Sequence, residues 1–337
     1  MRLLGKILFP ISLLYGIVVH TRNFLYDIKV FKSKAFQTPT ICVGNLSVGG
    51  TGKTPMIEYL IKLLHDDYKI AMLSRGYRRK SKGFQMAGSK SSVEVLGDEP
   101  FQIHSKFKSI DVAVAVDANR CNGIRILEKN KQPDIILLDD AFQHRKVIPS
   151  FSILLTTYDN LYVDDFFLPT GSLRDSKNQV KRANLIIVTK CPDNLSKEGS
   201  NKVSERIGVK KQVIFAHLSY SKVFFSLKGE IAPEVLKLKK VALVTGIANP
   251  SPLVKYLESL GLLFKHYKFK DHHFFTEKEI NDFANNDYVI TTEKDFVRLN
   301  GKVENLFYVE VRHQFLFDGD LILSNSLKKA VTLHLQS

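Results

Sequence analysis

The chain has no tryptophan and three cysteines among its 337 residues. Cys42, Cys121 and Cys191 are widely spaced and odd in number, which argues against a disulfide framework and for a reducing compartment. No metal-ligand spacing occurs among them. Internal repeats, low-complexity tracts and basic segments interleaved with aromatics are also missing, so repeat architectures and the common RNA-binding modules are not expected. Acidic residues are scarce relative to basic ones, 34 against 49, for a net charge of +15. That excess asks for an anionic partner, and charge alone does not choose among nucleic acid, anionic lipid and a phosphorylated substrate. With only charge behind it, a nucleic-acid role is not expected, and no protein partner is identifiable.

What is present is ordinary globular composition, 44% hydrophobic and 25% charged, in a chain long enough for two cores. The organising stretch is Ser47, Val48, Gly49, Gly50, Thr51, Gly52, Lys53, Thr54 and Pro55. It follows the apolar run Thr40–Val43, which reads as a buried strand, and precedes residues 56–64, whose apolar positions recur at helical spacing. Strand, glycine-rich loop and helix form the context of a phosphate-binding loop. Glycines let consecutive backbone N–H groups turn onto phosphate oxygens, and the helix N-terminus adds partial positive charge. Lys53 would reach the β- and γ-phosphates of ATP, and the Thr54 hydroxyl would join Mg²⁺. The general pattern has glycine six residues before the lysine, where this chain has Ser47.

Residues 3–19 are nearly all apolar, broken by Lys6 and Pro10, with Leu3, Leu4, Ile7, Leu8, Ile11, Leu14, Tyr15, Val18 and Val19 on one helical face. The run is at or below bilayer-spanning length, and no small-residue cleavage site follows it. The first 40 residues hold six cations (Arg2, Lys6, Arg22, Lys29, Lys32, Lys34) against the single acid Asp27. Such a helix suits the headgroup region of an anionic membrane, or packing against the domain behind it.

Strands are expected at 69–73, 112–116, 134–138, 151–155 and 185–188. Gly97-Asp98-Glu99-Pro100 sits in a loop that opens a helix, where two adjacent acids are either helix N-terminal charge or a base and a metal ligand. The apolar strand Asp134–Leu138 ends in Asp139 and Asp140, a Walker B arrangement that delivers a carboxylate to Mg²⁺ beside the phosphate loop. Acids at the C-terminal edge of such a strand lie at the ligand-binding crevice. Arg174 is a candidate second cation for phosphate charge or an exposed structural arginine. Neither Thr189-Lys190-Cys191-Pro192-Asp193 nor Thr292-Glu293-Lys294-Asp295 matches the guanine-specificity pattern, so a GTPase is not favoured. A second α/β unit follows, with Asp271-His272-His273 in a loop; a zinc site there lacks a third ligand, and a histidine paired with a carboxylate across a cleft is the more useful reading.

In this order the motifs resemble those of the tetraacyldisaccharide 4′-kinases, the lipid A 4′-kinases of Gram-negative bacteria. The resemblance runs through nearly the whole chain. It is carried by Val43–Pro55, Ser74–Tyr77, Gly97–Pro100, Asp139–His144, Leu168–Arg174, Gly246–Pro250, Asp271-His272 and Thr292–Asp295. The serine at 47 is itself usual in that family, while Ala141 and Asp175 depart from its pattern, where glycine and glutamate are common. The resemblance implies ATP-dependent phosphorylation of the 4′-hydroxyl of tetraacyldisaccharide 1-phosphate to give lipid IVA. It also implies a peripheral enzyme on the cytoplasmic face of the inner membrane, docked through its N-terminal helix.

The expected fold is a P-loop-type α/β domain: a mostly parallel sheet with helices on both faces, followed by a smaller C-terminal α/β domain. Boundaries are expected at 1–37 for the membrane-associating segment, 38–215 for the kinase core, 216–230 for a linker and 231–337 for the second domain. In the expected mechanism Ser47 to Thr54 bind nucleotide, while Thr54, Asp139 and Glu99 organise Mg²⁺. Asp98 paired with His272 accepts the hydroxyl proton, Asp140 orients His272, and Arg120 and Arg174 hold substrate or phosphate charge. Because Asp98 and His272 fall in different domains, closure is expected to complete the site. The alternative is a membrane-associated P-loop ATPase of the partitioning class; those carry a signature lysine where this chain has Val48.

Overall fold

The computed structural model describes residues 3–336, with side chains from Leu8 onward. Arg2 and the side chain of Lys6 therefore lie outside the described residues. Helix α1 (Leu3–Asp27) is followed by β1 (Thr40–Asn45), α2 (Lys53–Leu64) and β2 (Ile70–Ser74). Then come β3 (Gln85–Met86), α3 (Val93–Leu96), α4 (Asp98–Lys106), β4 (Ala113–Val116) and α5 (Arg120–Asn130). Strands β5 (Ile135–Asp139), β6 (Phe151–Thr157) and β7 (Leu185–Thr189) precede α6 (Lys197–Ile207) and β8 (Gln212–Tyr220). The second unit holds β9 (Phe224–Ser226), β10 (Gly229–Ile231), β11 (Val241–Thr245), α7 (Ser251–Ser259) and β12 (Phe264–Lys268). It continues with α8 (Glu277–Ala284), β13 (Tyr288–Thr292), α9 (Glu293–Leu299) and β14 (Leu306–Val309), before β15 (Val311–Leu316) and α10 (Gly319–Leu335).

Nine strands form the first sheet, in the order β15-β8-β7-β6-β1-β5-β2-β4-β3. Its central strands pair in parallel, and β1, β2, β5 and β7 are buried along their whole length. Apolar side chains on both faces explain why these strands read as unbroken hydrophobic runs. Along β1 the side chains alternate between two cores: Cys42 joins one layer, Ile41 and Val43 the other. Strand β1 sits between β5 and β6, so the chain turns to opposite sides of the sheet around it and a crevice opens at its C-terminal end. The glycine-rich loop occupies that crevice, and the end of β5 lies beside it, with Asp139 in register with Val43.

The second sheet has six strands, in the order β10-β9-β14-β13-β11-β12. Two differences from the sequence expectation concern its limits. The stretch expected as a linker, 216–230, carries the end of β8 and a hairpin, β9–β10, which adds the last two strands at one side of the second sheet rather than a connector. The second unit also does not run to the C-terminus. Strand β15 returns to the first sheet and pairs antiparallel with β8, and α10 buries Leu323, Leu327 and Val331 in the first sheet's core. An edge position left open on β8 and an apolar stripe on α10 draw the last 27 residues back across the molecule.

Helix α1 packs through Ser12, Gly16, Val19 and Asn23, a stripe at helical spacing whose small residues permit close approach. A Cβ on Gly16 would lie 2.9 Å from the Phe167 ring. Ile11, Leu14 and Val18, expected on one face with Tyr15 and Val19, point to solvent, whereas Val19 is buried.

Candidate active site

Backbone conformation explains the composition of the glycine-rich loop. Positive φ occurs at Gly49 (113°) and Gly52 (86°), and Ser47 has none, so glycine is not required there. Ser47 is used otherwise: its hydroxyl donates to Asp165 Oδ2 at 3.2 Å, and the neighbouring Val48 N–H donates to Ser172 O at 2.7 Å. Inside the loop, Asn45 Nδ2 donates to Thr51 Oγ1 at 3.0 Å. From the far side Thr189 Oγ1 donates to Thr51 O at 2.9 Å. His313, on the returning β15, lies with Nε2 2.9 Å from Gly52 O; burial drives its imidazole down to about 4, so the neutral ring donates to that carbonyl. The loop is thus fixed on three sides before any nucleotide arrives.

Lys53 opens α2 and lies 3.9 Å from Asp140 Oδ2. Asp140 has φ 47°, which turns its carboxylate from the strand towards Lys53 and Arg174; Arg174 Nη1 donates to Oδ2 at 3.0 Å, and Nη2 donates to Oδ1. Burial raises the Asp140 carboxyl, but Lys53 and Arg174 outweigh it and hold the group below the ordinary carboxylate range. Asp139 behaves oppositely. Burial, reinforced by the charge of Asp140, pushes it up to about 6. Its Oδ2 accepts from Ser74 Oγ at 3.0 Å, and its buried Oδ1 has no hydrogen-bond partner. A buried carboxylate oxygen left open beside a phosphate-loop lysine suits a hard divalent cation, and the Glu99 carboxylate is close enough to act on the same group.

The second cluster joins the two sheets. Asp98, first residue of α4, faces the loop between β12 and α8, where His272 Nδ1 lies 2.6 Å from Asp98 Oδ2. Burial raises the Asp98 carboxyl, but hydrogen bonds from His272 and Arg298 prevail and bring it to about 2. His272 Nε2 lies 3.1 Å from Lys294 Nζ, which also pairs with Glu99 at 3.5 Å and Asp271 at 3.0 Å. The Tyr77 ring packs edge-on against His272, with centroids 5.6 Å apart.

A family model described as Tetraacyldisaccharide-1-P 4′-kinase matches residues 4–331. The chain is 48% identical over 324 residues to a tetraacyldisaccharide 4′-kinase of Flavobacterium johnsoniae, covering 94% of each. It is 50% identical over 326 residues to that of Flavobacterium psychrophilum, again covering 94% of each. The solved structure of "apo" form LpxK from Aquifex aeolicus in complex with ATP superposes with a TM-score of 0.82 at 30% identity, covering 98% of this chain and 100% of that one. The chain belongs to the tetraacyldisaccharide 4′-kinase family.

As a member of that family it is an ATP-dependent lipid A 4′-kinase, and the partitioning-class ATPase is not favoured. Within this 4′-kinase the expected site residues divide. Ser47 to Thr54, Asp139, Asp140 and Arg174 gather at the end of β1, and Asp98, Glu99 and His272 form the adjoining cluster, with ligand atoms within 4.8 Å of one another. Two expectations differ. Asp140 does not orient His272, because its left-handed backbone aims the carboxylate at Arg174 and Lys53. Arg120, expected to hold substrate or phosphate charge, is 2% exposed here and donates to the carbonyls of Asp117 (2.5 Å) and Asp139 (3.1 Å), bracing the backbone under the carboxylate pair. The two departures from the family pattern are accommodated. Ala141 has no positive φ, so glycine is not needed, and Asp175 is buried with its Oδ1 accepting from Asn23 of α1 at 2.7 Å.

Sequence reasoning missed Asp165, Thr189, His313, Lys106 and Arg298, all of which act through partners far along the chain. Lys106 of α4 meets Glu293 Oε1 at 2.5 Å, Glu310 Oε1 at 2.6 Å and Glu58, a buried clasp uniting α2, α4, α9 and the β14–β15 junction.

Proposed function

We propose that this enzyme transfers the γ-phosphoryl group of ATP to the 4′-hydroxyl of tetraacyldisaccharide 1-phosphate, with Asp98 and His272 acting as one proton-accepting unit. The sugar oxygen bonds to the γ-phosphorus, the bond to the β-γ bridging oxygen breaks, ADP leaves, and the hydroxyl proton passes to the pair. Lys53 and the N–H groups of Gly49 to Thr54 hold the β- and γ-phosphates, and Arg174 offsets charge that builds on the transferring group. Thr54, Asp139 and Glu99 would hold Mg²⁺, which would supply positive charge against that of the phosphates. The observation that carries this reading is the 2.6 Å contact between Asp98 of α4 and His272 of the β12–α8 loop, together with the open carboxylate oxygen of Asp139.

The same reading puts α1 on the lipid surface, at the cytoplasmic face of the inner membrane. Residues Leu8–Asp27 are long and apolar enough to cross a bilayer by length and composition. Two features favour lying on it. One face is fastened to the domain, with Tyr15 Oη donating to Arg174 O at 3.1 Å, while Phe9, Ile11, Leu14, Ile17 and Val18 are exposed beside exposed Lys29, Lys32 and Lys34. The acyl chains would thus remain in lipid while the headgroup sugar reaches Arg174.

The test is transfer of ³²P from γ-labelled ATP to tetraacyldisaccharide 1-phosphate in detergent micelles, comparing the wild type with Lys53→Ala. Labelled lipid from the wild type and none from the variant is expected. ATP hydrolysis without labelled lipid would contradict the proposal.

A further inference from the structure

His272 reaches Asp98 from a loop, and it does so with φ 63°, a conformation that β-carbon-bearing residues seldom adopt. Its N–H donates to Gly246 O at 3.1 Å, which fixes the backbone but leaves the ring free to turn. The side chain that spans from this loop to α4 is Arg298 of α9. Its Nε donates to Asp98 Oδ1 at 2.8 Å and its Nη2 donates to Asp98 Oδ2. Nη1 lies 3.3 Å from His273 O and 3.4 Å from Asp295 Oδ1, and the Phe274 ring covers the guanidinium at 5.9 Å. One planar, buried group therefore touches Asp98, His272 and the backbone carbonyl of His273 in the same loop.

Arg298 Nη2 also lies 3.2 Å from His272 Nδ1, so guanidinium and imidazole meet at Asp98 Oδ2. The Asp98 carboxylate can only accept and the Lys294 ammonium can only donate, so Nδ1 carries the proton that it donates to Oδ2, and Nε2 accepts from Lys294. Arg298 is itself held. Asp295 accepts from Gly246 N–H at 2.8 Å and from the Thr292 hydroxyl at 2.8 Å, and Glu293 binds Lys106, so the Thr292–Asp295 motif sets the start of α9.

We propose that Arg298 is a positioning residue for phosphoryl transfer: its bidentate grip on Asp98 and its hold on the His272 loop keep the pair in one geometry. This rests on the proton-accepting role assigned to that pair. A rigid fork suits the task because two parallel charge-assisted bonds fix orientation as well as distance. Lysine has no such fork.

Steady-state kinetics with ATP and tetraacyldisaccharide 1-phosphate in micelles, alongside thermal unfolding, separate positioning from mere stability. Arg298→Met is expected to lose about 10²-fold in kcat with both KM values within about threefold of wild type. Arg298→Lys, which keeps the charge, is expected to unfold near the wild-type temperature and still lose at least about tenfold in kcat. Added guanidinium ion should partly restore kcat in Arg298→Ala and not in Asp98→Ala. Wild-type turnover in Arg298→Lys beside inactive Asp98→Ala and His272→Ala would overturn the clamp alone, as would a loss confined to KM. Full turnover in both Asp98→Ala and His272→Ala would instead overturn the role of the pair.

Discussion

Replacing Lys106 with methionine leaves Glu58, Glu293 and Glu310 facing one another with their shared cation gone. All three carboxylates are at least mostly buried, and Lys106 is one of the groups that hold α9 of the second unit against α2 and α4 of the first. Removing one partner from a buried ion pair costs about 3–5 kcal/mol, because the remaining charge has no solvent to return to. Unfolding entropy of about 2 cal/mol/K per residue gives roughly 0.7 kcal/mol/K for a chain of 337 residues, so that loss should lower the unfolding temperature by about 4–7 °C. The sign of the pH dependence follows from the carboxylates. Burial and mutual repulsion already raise Glu58, and raise Glu293 to about 8, while Arg312 and Lys106 overcome burial to hold Glu310 near 2. Without Lys106 all three move up. A carboxylate whose folded value exceeds its unfolded one favours the fold when protonated, and that contribution disappears as pH rises through the folded value. The deficit of Lys106→Met should therefore be small near pH 5 and largest near pH 9. Thermal unfolding followed by circular dichroism across that range reads it directly. A variant as stable as the wild type at pH 9, or a deficit that grows towards acid, would refute the reasoning.

Gly52→Ala should weaken ATP binding by about tenfold or more, measured by calorimetry, since φ is 86° and the new Cβ would stand 2.8 Å from His313 Nε2. Unchanged affinity would show that the loop relaxes without cost. Asp139→Asn should keep its bond to Ser74 and the fold, yet lose turnover on the order of 10²-fold with a raised Mg²⁺ requirement. In the wild type, Mg²⁺ activation should weaken as pH falls below about 6, where the Asp139 carboxyl takes up a proton; activation constant down to pH 5 would contradict its role as a ligand. Leu14→Asp with Val18→Asp should abolish sedimentation with anionic vesicles while leaving the unfolding temperature unchanged, because both side chains are exposed. Retained sedimentation would remove α1 as the docking element.

Much of the fold was legible in the sequence because buried parallel strands announce themselves as short apolar runs. The runs 40–43, 134–138 and 185–188 all became strands in the interior of the first sheet, and the glycine-rich loop and the acids at the end of β5 lie where such a sheet puts them. Within the second unit the strands and helices from Val241 to Thr292 match the expected alternation. The return of β15 was not legible, since an edge strand of alternating character pairs with a partner some 90 residues earlier and nothing local marks it. For the site, residues alone offered a histidine near Asp271 that could pair with some carboxylate; Asp98 as its partner was expected only after the motifs had been matched to the family, and the structure brings the two together. Arg298 was not, because its meaning lies in a partner 200 residues away on another helix. The mistaken role of Asp140 has a local cause: adjacent aspartates share a strand end, and only a left-handed backbone at the second one separates their directions.

The most direct test of the proton-accepting pair is kcat at saturating ATP and lipid for Asp98→Ala, His272→Ala and the double variant, with ATP affinity measured separately. Two groups acting as a unit should each lose turnover by orders of magnitude, the double variant should lose little more than the worse single, and ATP should bind all three as it binds the wild type. Near-wild-type turnover in either single variant, or losses that simply add, would contradict the account.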